Sequence, residues 1–198
     1  MKKILFIVFL FLLHSNIYAQ VSVPVKSIKQ LEIDCDNNDF LACFYAGQLF
    51  QDTGLNLSAV TAYKKACDNK IYESCVNLGR LFKNDYNESV QKEAYKLFNT
   101  ACDNNISAGC FEMASLYFKG DIVRKSQRKA RKLYVKACSM QNAAACYNAG
   151  IIYENGIKVK RNIKKALFYF NSSCNLKFDK ACYKYNEILK SMNNKLKD

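Results

Sequence analysis

Histidine is all but missing from this chain, and its scarcity removes whole classes of chemistry. One histidine, His14, occurs in 198 residues, and it lies in a leader segment set aside below. The rest has no imidazole to act as a zinc ligand, a general base or a switch near neutral pH. No metal site is expected, and no cofactor is implied. No C-x-x-C occurs either, although there are ten cysteines, so thioredoxin-like redox work and the common zinc spacings are excluded. Long apolar runs are absent too. The unbroken run from Ile4 to Leu13 has ten residues, against about 20 needed to span a bilayer. Acidic residues are in short supply, 17 against 30 Lys and Arg.

The apolar run follows Lys2 and Lys3 and gives way to a polar break and then Ala19. That pattern reads as a secretory signal peptide over residues 1–19, with an uncleaved anchor as the alternative. No cysteine follows the run directly, so no lipoprotein attachment site is present. Export to the periplasm or the medium is expected, leaving residues 20–198 as a single repeat domain with no stable membrane anchor. The formal charge of +13 drops by only two when the leader is removed. On an exported protein this basic surplus points to anionic envelope polymers, acidic partners or membrane surfaces, and not to nucleic acid. A solvated, Lys-rich surface is the plainer explanation.

What the chain does have is a set of paired cysteines. "DCDNNDFLAC", "ACDNKIYESC", "ACDNNISAGC", "ACSMQNAAAC" and "SCNLKFDKAC" hold all ten, each pair with seven residues between. In an oxidising compartment such an even set implies a disulfide framework. The first members, Cys35, Cys67, Cys102, Cys138 and Cys174, are 32, 35, 36 and 36 positions apart, which marks an internal repeat. Eight residues before the last four stand Ala59, Ala94, Ala130 and Ala166, and four after those come Tyr63, Phe98, Tyr134 and Phe170. Four residues after the second cysteines lie Gly47, Gly79, Ala114, Gly150 and, out of line, Asn186.

The unit reads as two helices. In "SQRKARKLYVKAC" Ala130, Leu133, Tyr134 and Ala137 share one helical face, and Ser126 and Asn162 fit as N-caps. "AACYNAGIIYENG" is the second helix, ending at Gly156. Its Gly150 costs about 1 kcal/mol against Ala, tolerated where a neighbouring helix must come close. Residues eight apart on one helix lie about 12 Å apart along its axis, whereas a disulfide needs Cα atoms within roughly 4.4–6.8 Å. The chain must therefore reverse inside each pair. The expected bonds are Cys35–Cys43, Cys67–Cys75, Cys102–Cys110, Cys138–Cys146 and Cys174–Cys182, each stapling one hairpin.

The combination of Ala, aromatic, Lys-Ala-Cys, Cys-x3-Gly and a linker such as "GIKVKRN" resembles Sel1-like repeats, over about residues 25–190. The C-x7-C form is similar to the secreted Helicobacter cysteine-rich proteins, whose repeats each carry one disulfide. The resemblance implies an all-α, right-handed solenoid of TPR/Sel1-like αα-hairpins. It also implies a β-lactamase label, since members of that group are classed as slow, penicillin-binding β-lactamases. The residues do not supply a mechanism. Ser89-Val-Gln-Lys92 and Ser126-Gln-Arg-Lys129 match S-x-x-K, but S-D-N and K-T-G are absent. Both serines are placed where helix caps belong, and no catalytic residue is assigned.

In a two-helix solenoid the first helix lines the inner surface. The positions one and five after each recurring alanine then face a groove. These are Val60 and Lys64, and, as the proposed ligand site, Tyr95, Asn99, Arg131, Val135, Leu167 and Asn171. Asn and Arg beside Tyr and Leu suit an extended, peptide-like ligand, although such residues are also ordinary on an exposed helix. The expected function is therefore a monomeric binding module for a peptide-like, cell-wall or protein ligand, with β-lactams as an alternative. Two weaker features remain. Residues 119–138 concentrate eight Lys or Arg against one Asp. Asn87 and Asn105 fit a D-x-N-x-S glycosylation pattern, with Asn87 expected to be accessible and Asn105 hidden in its disulfide loop.

Overall fold

The computed structural model describes residues 26–194, so the leader expected over residues 1–19 lies outside the described residues. Among the described residues there are ten helices and no strand. They are α1 (Ile28–Asp36), α2 (Phe40–Asp52), α3 (Asn56–Asp68), α4 (Tyr72–Phe82), α5 (Glu88–Asp103), α6 (Ser107–Lys119), α7 (Gln127–Ser139), α8 (Ala143–Asn155), α9 (Ile163–Asn175) and α10 (Asp179–Asn194). Odd-numbered helices open each hairpin and even-numbered ones close it. The main contacts run between successive helices, with α4 also touching α6. The molecule is a solenoid of five hairpins.

All five cysteine pairs are bonded as the spacing predicts, with Cα atoms 4.5–4.9 Å apart. The reversal between them is one motif used five times. The third residue after each first cysteine is left-handed: Asn38, Lys70, Asn105, Gln141 and Lys177, with φ between 61° and 70°. The next residue returns its N–H to a carbonyl five back, as Ile71 does to Ala66 at 3.0 Å and Ile106 to Ala101 at 2.9 Å. This is the Schellman closure of a helix end. That same residue begins the second helix. Where it is Asp39 or Asn142 its side chain caps that helix; where it is Ile71 or Ile106 no side-chain cap forms. A single position thus serves either as an apolar plug for one helix end or as a polar cap for the next.

Ser126 and Asn162 are N-caps, accepting from the N–H of Lys129 and Lys165. Ser89 is not. The cap of α5 is Asn87, which accepts the Ser89 N–H at 2.8 Å, and Ser89 is the second residue inside the helix. Asn caps at least as well as Ser, and the earlier residue took the place.

The repeated alanines and aromatics form the seam between hairpins. Ala59, Ala94, Ala130 and Ala166 are fully buried, as are the rings of Tyr63, Phe98 and Phe170. Each ring presses on the glycine of the preceding hairpin. A Cβ on Gly47 would lie 2.6 Å from Tyr63, on Gly79 2.7 Å from Phe98, and on Gly150 2.6 Å from Phe170. The last hairpin has Asn186 at this place and no following hairpin among the described residues to receive. Lysines tie the seam at a second level. Lys65 donates to the Cys35 carbonyl at 2.7 Å and Lys136 to that of Cys102 at 3.0 Å, so the Lys of Lys-Ala-Cys caps the C-terminus of the first helix one hairpin earlier.

Candidate functional site

The six proposed groove residues occupy equivalent helical positions, and the structure spreads them over three hairpins. Tyr95 is half-buried on α5. Its hydroxyl meets that of Tyr117 at 3.0 Å, and that bond, together with burial, pushes its phenol up to about 12. Asn99, one turn on, donates to Asp103 at 2.7 Å. Arg131 on α7 donates to the Tyr153 hydroxyl at 3.1 Å and lies 5.9 Å from the centre of its ring. Tyr153 in turn stacks on Tyr169 of α9, with centroids 5.5 Å apart. Burial raises the Tyr169 phenol above its ordinary value, and Arg131 pulls the other way.

Val135, one turn after Arg131, faces α9 across a cleft of about 450 Å³. Leu167 and Asn171 do not share that cleft. Leu167 packs into the C-terminal core with Tyr153, Phe170 and Ile188, and Asn171 is exposed. Val135 therefore lines the cleft, Arg131 reaches its wall only through Tyr153 stacked on Tyr169, and Tyr95 with Asn99 sits one hairpin away.

The far wall of the cleft was not anticipated. It is made by Phe168, Tyr169, Ser172 and Leu176, with Cys138 and Cys146 at one side. Phe168 is 65% exposed, although it stands in the middle of a well-packed helix. These residues fall two, three, six and ten places after Ala166, whereas the groove expected from the sequence uses the first and fifth places. A groove between parallel helices takes opposite faces from its two walls, so one helical position cannot supply both. The unbroken "LFYF" at 167–170 was the available signal, because an amphipathic helix buries only part of such a run.

A second cleft, about 520 Å³, separates α1 from α3. Its walls are mixed, with Lys29, Glu32, Asp36, Thr61 and Lys65 around Phe50. Val60 packs in the N-terminal core, and Lys64 is paired with Asp68 at 3.1 Å.

The S-x-x-K serines do not meet their lysines. Lys92 pairs with Glu88 at 3.1 Å, and the Lys129 ammonium lies 4.9 Å over the Tyr117 ring. Ser126 is engaged by a backbone N–H. Acyl transfer needs a base within hydrogen-bond reach of the nucleophile, and neither pair has that arrangement. Among the described residues no cluster of His, Cys, Asp or Glu could hold a metal ion, and no helix is long and apolar enough to cross a membrane. Asn87 and Asn105 are both exposed. The expectation that Asn105 is hidden is corrected, because the left-handed turn carries it outward at the tip of the hairpin.

Stacked αα-hairpins with a small residue receiving the next hairpin's aromatic ring define a repeat solenoid of the tetratricopeptide-like class. Within that class the chain belongs to the Sel1 repeat family, whose model matches residues 73–106, 107–142 and 143–178. Sel1 repeats generally mediate protein–protein interaction. No curated protein matches the chain. Among solved structures it is similar to c5321, a protective antigen of uropathogenic Escherichia coli strains, with a TM-score of 0.77 and 21% identity over 87% of this chain and 38% of that one. A Sel1 repeat protein from Oxalobacter formigenes gives a TM-score of 0.67 and 23% identity over 76% of this chain and 63% of that one. The chain thus spans less than two thirds of either. Helicobacter pylori cysteine rich protein B gives 30% identity and a TM-score of 0.52, over 63% of this chain and 90% of that protein.

Proposed function

We propose that this protein is an exported, monomeric binding module that holds an extended, peptide-like segment in the cleft between α7 and α9. The observation that carries the reading is Phe168, 65% exposed on the wall of a cleft lined by Val135, Tyr169 and Leu176. An exposed aromatic ring over an apolar cleft is the anchor type that dominates binding energy at interfaces. Export rests on the leader pattern and on five disulfides with no free cysteine among the described residues, since such bonds persist in oxidising compartments. The 30% identity with Helicobacter pylori cysteine rich protein B fits the resemblance to an exported cysteine-rich family and supports the same assignment. Stem-peptide fragments of the cell wall and extended segments of envelope proteins are the ligand classes to try first.

The test uses the full mature chain in fluorescence anisotropy with end-blocked peptides and with soluble muropeptides. Phe168→Ala and Val135→Asp are each expected to weaken binding about tenfold or more, equivalent to about 1.4 kcal/mol, with an unchanged far-ultraviolet spectrum. Affinity indifferent to both substitutions would sink the assignment. A β-lactamase role is checked in the same preparation with a chromogenic cephalosporin. Only slow hydrolysis is expected, unaffected by Ser89→Ala or Ser126→Ala.

A further inference from the structure

The first helices of the five hairpins differ sharply in charge, and the difference falls on the cleft. α5 carries Lys92 and Lys96, paired with Glu88 at 3.1 Å and Glu93 at 2.9 Å, and also ends in Asp103. α3 has Lys64 paired with Asp68. By contrast α7 holds five Lys or Arg and α9 two, with no Asp or Glu in either. None of the ion pairs among the described residues involves α7 or α9. Arg128, Lys132, Lys164 and Lys165 are exposed. Arg131 is held only by a tyrosine hydroxyl, and its Nε is buried without a partner.

The two helices that wall the apolar cleft are therefore the two without compensating carboxylates. Like charges crowded on facing helices repel, and self-repulsion of this kind works against the compact state. An anionic occupant would relieve it. The cleft floor is apolar and carries no charge of its own, with Val135, Tyr169 and Leu176 beside the Cys138–Cys146 bond. A sugar–phosphate polymer has nothing to place there.

We propose, resting on the peptide-binding reading above, that the ligand is an acidic protein segment in extended form, alternating apolar residues with Asp or Glu. Side chains of an extended chain alternate between opposite sides. One set fills the cleft against Phe168 and Val135. The other projects outward toward exposed lysines one turn before the lining residues, Lys132 before Val135 on α7 and Lys164 and Lys165 before Phe168 and Tyr169 on α9.

The experiment compares two labelled, end-blocked peptides on the full mature chain, one alternating leucine with glutamate and one alternating leucine with glutamine. The glutamate peptide is expected to bind about tenfold or more tighter at low salt, with the advantage shrinking as the Debye length falls to about 8 Å at physiological ionic strength. A Lys132→Glu/Lys165→Glu protein should lose the preference and keep the glutamine peptide, while Phe168→Ala should weaken both. Equal affinity for the two peptides overturns the acidic assignment and leaves the cleft reading standing. Binding of neither peptide overturns the cleft reading, and this inference with it. Glutamate-peptide binding that Phe168→Ala leaves intact and dextran sulfate abolishes would show a general polyanion patch, and also overturns the proposal.

Discussion

Gly150 shows how a single missing atom sets the pitch of the solenoid. It lies mid-helix in α8, where alanine would favour the helix by about 1 kcal/mol. A Cβ there would come 2.6 Å from the edge of the Phe170 ring, which is itself fully buried and cannot swing aside. Overpacking of that kind costs about 1–3 kcal/mol, so the contact outweighs the propensity. Gly150→Ala is expected to lower stability by about 1–2 kcal/mol in urea denaturation. Adding Phe170→Leu should return part of the loss relative to Phe170→Leu alone. A Gly150→Ala protein as stable as its parent would refute the assignment of this glycine to close approach. Repeat three carries Ala114 opposite Tyr134, both buried, so the spacing can be met where the helix positions are set for it.

Between elements, the one buried carboxylate among the described residues is Glu112 of α6. It accepts from Arg80 at 2.7 Å and Lys83 at 2.9 Å, both at the end of α4 one hairpin earlier. Burial pushes its carboxyl up, but the hydrogen bonds and charges of Lys83 and Arg80 win and hold it below the ordinary 4.5. A carboxyl lowered by folding contributes stability that is full above its unfolded value and fades as pH falls through its folded one. Glu112→Gln should therefore cost about 1–3 kcal/mol at neutral pH, nearer the low end because both cations can rehydrate. The gap between parent and variant should close as the pH drops below about 4.5. A gap that stays constant down to pH 2 would assign the loss to packing instead of charge.

Pairs such as Arg80 with Glu112 were not legible in the sequence, because they join residues 32 positions apart with no pattern tying one to the other. The hairpins were legible for the opposite reason. Cysteine spacing recurs in all five units and the alanine and aromatic positions in the last four, and helical periodicity turns recurrence into faces. Of the cleft's lining only Val135 was named from the sequence as a groove residue. It follows from one helix's face, but Phe168 and Tyr169 belong to the opposite face of the next helix, and only the packing of two hairpins says which faces meet.

Taken as a whole, the molecule has no single centre. Its buried residues form separate clusters along the chain, one around Tyr63, one around Phe98 and Tyr134, one around Phe170 and a small one at Cys35, Cys43 and Ala66. Stability in such an array is a sum of hairpin terms and nearest-neighbour seams, and each disulfide acts on one hairpin only. Closing an eight-residue separation stabilises by about 2–3 kcal/mol in the chain-entropy account. Replacing Cys174 and Cys182 with alanine should therefore lower hydrogen-exchange protection in α9 and α10, and less so in α8, which shares the Phe170 seam. Protection in α1 to α4 should not change, because the main packing of those helices is with their own neighbours and not with the last hairpin. The measurement is native-state exchange read by mass spectrometry on the oxidised protein. A uniform loss along the chain would mean that the five hairpins unfold as one cooperative unit. In that case the disulfides would be acting on the whole solenoid, and the local account of why each hairpin carries one would be wrong.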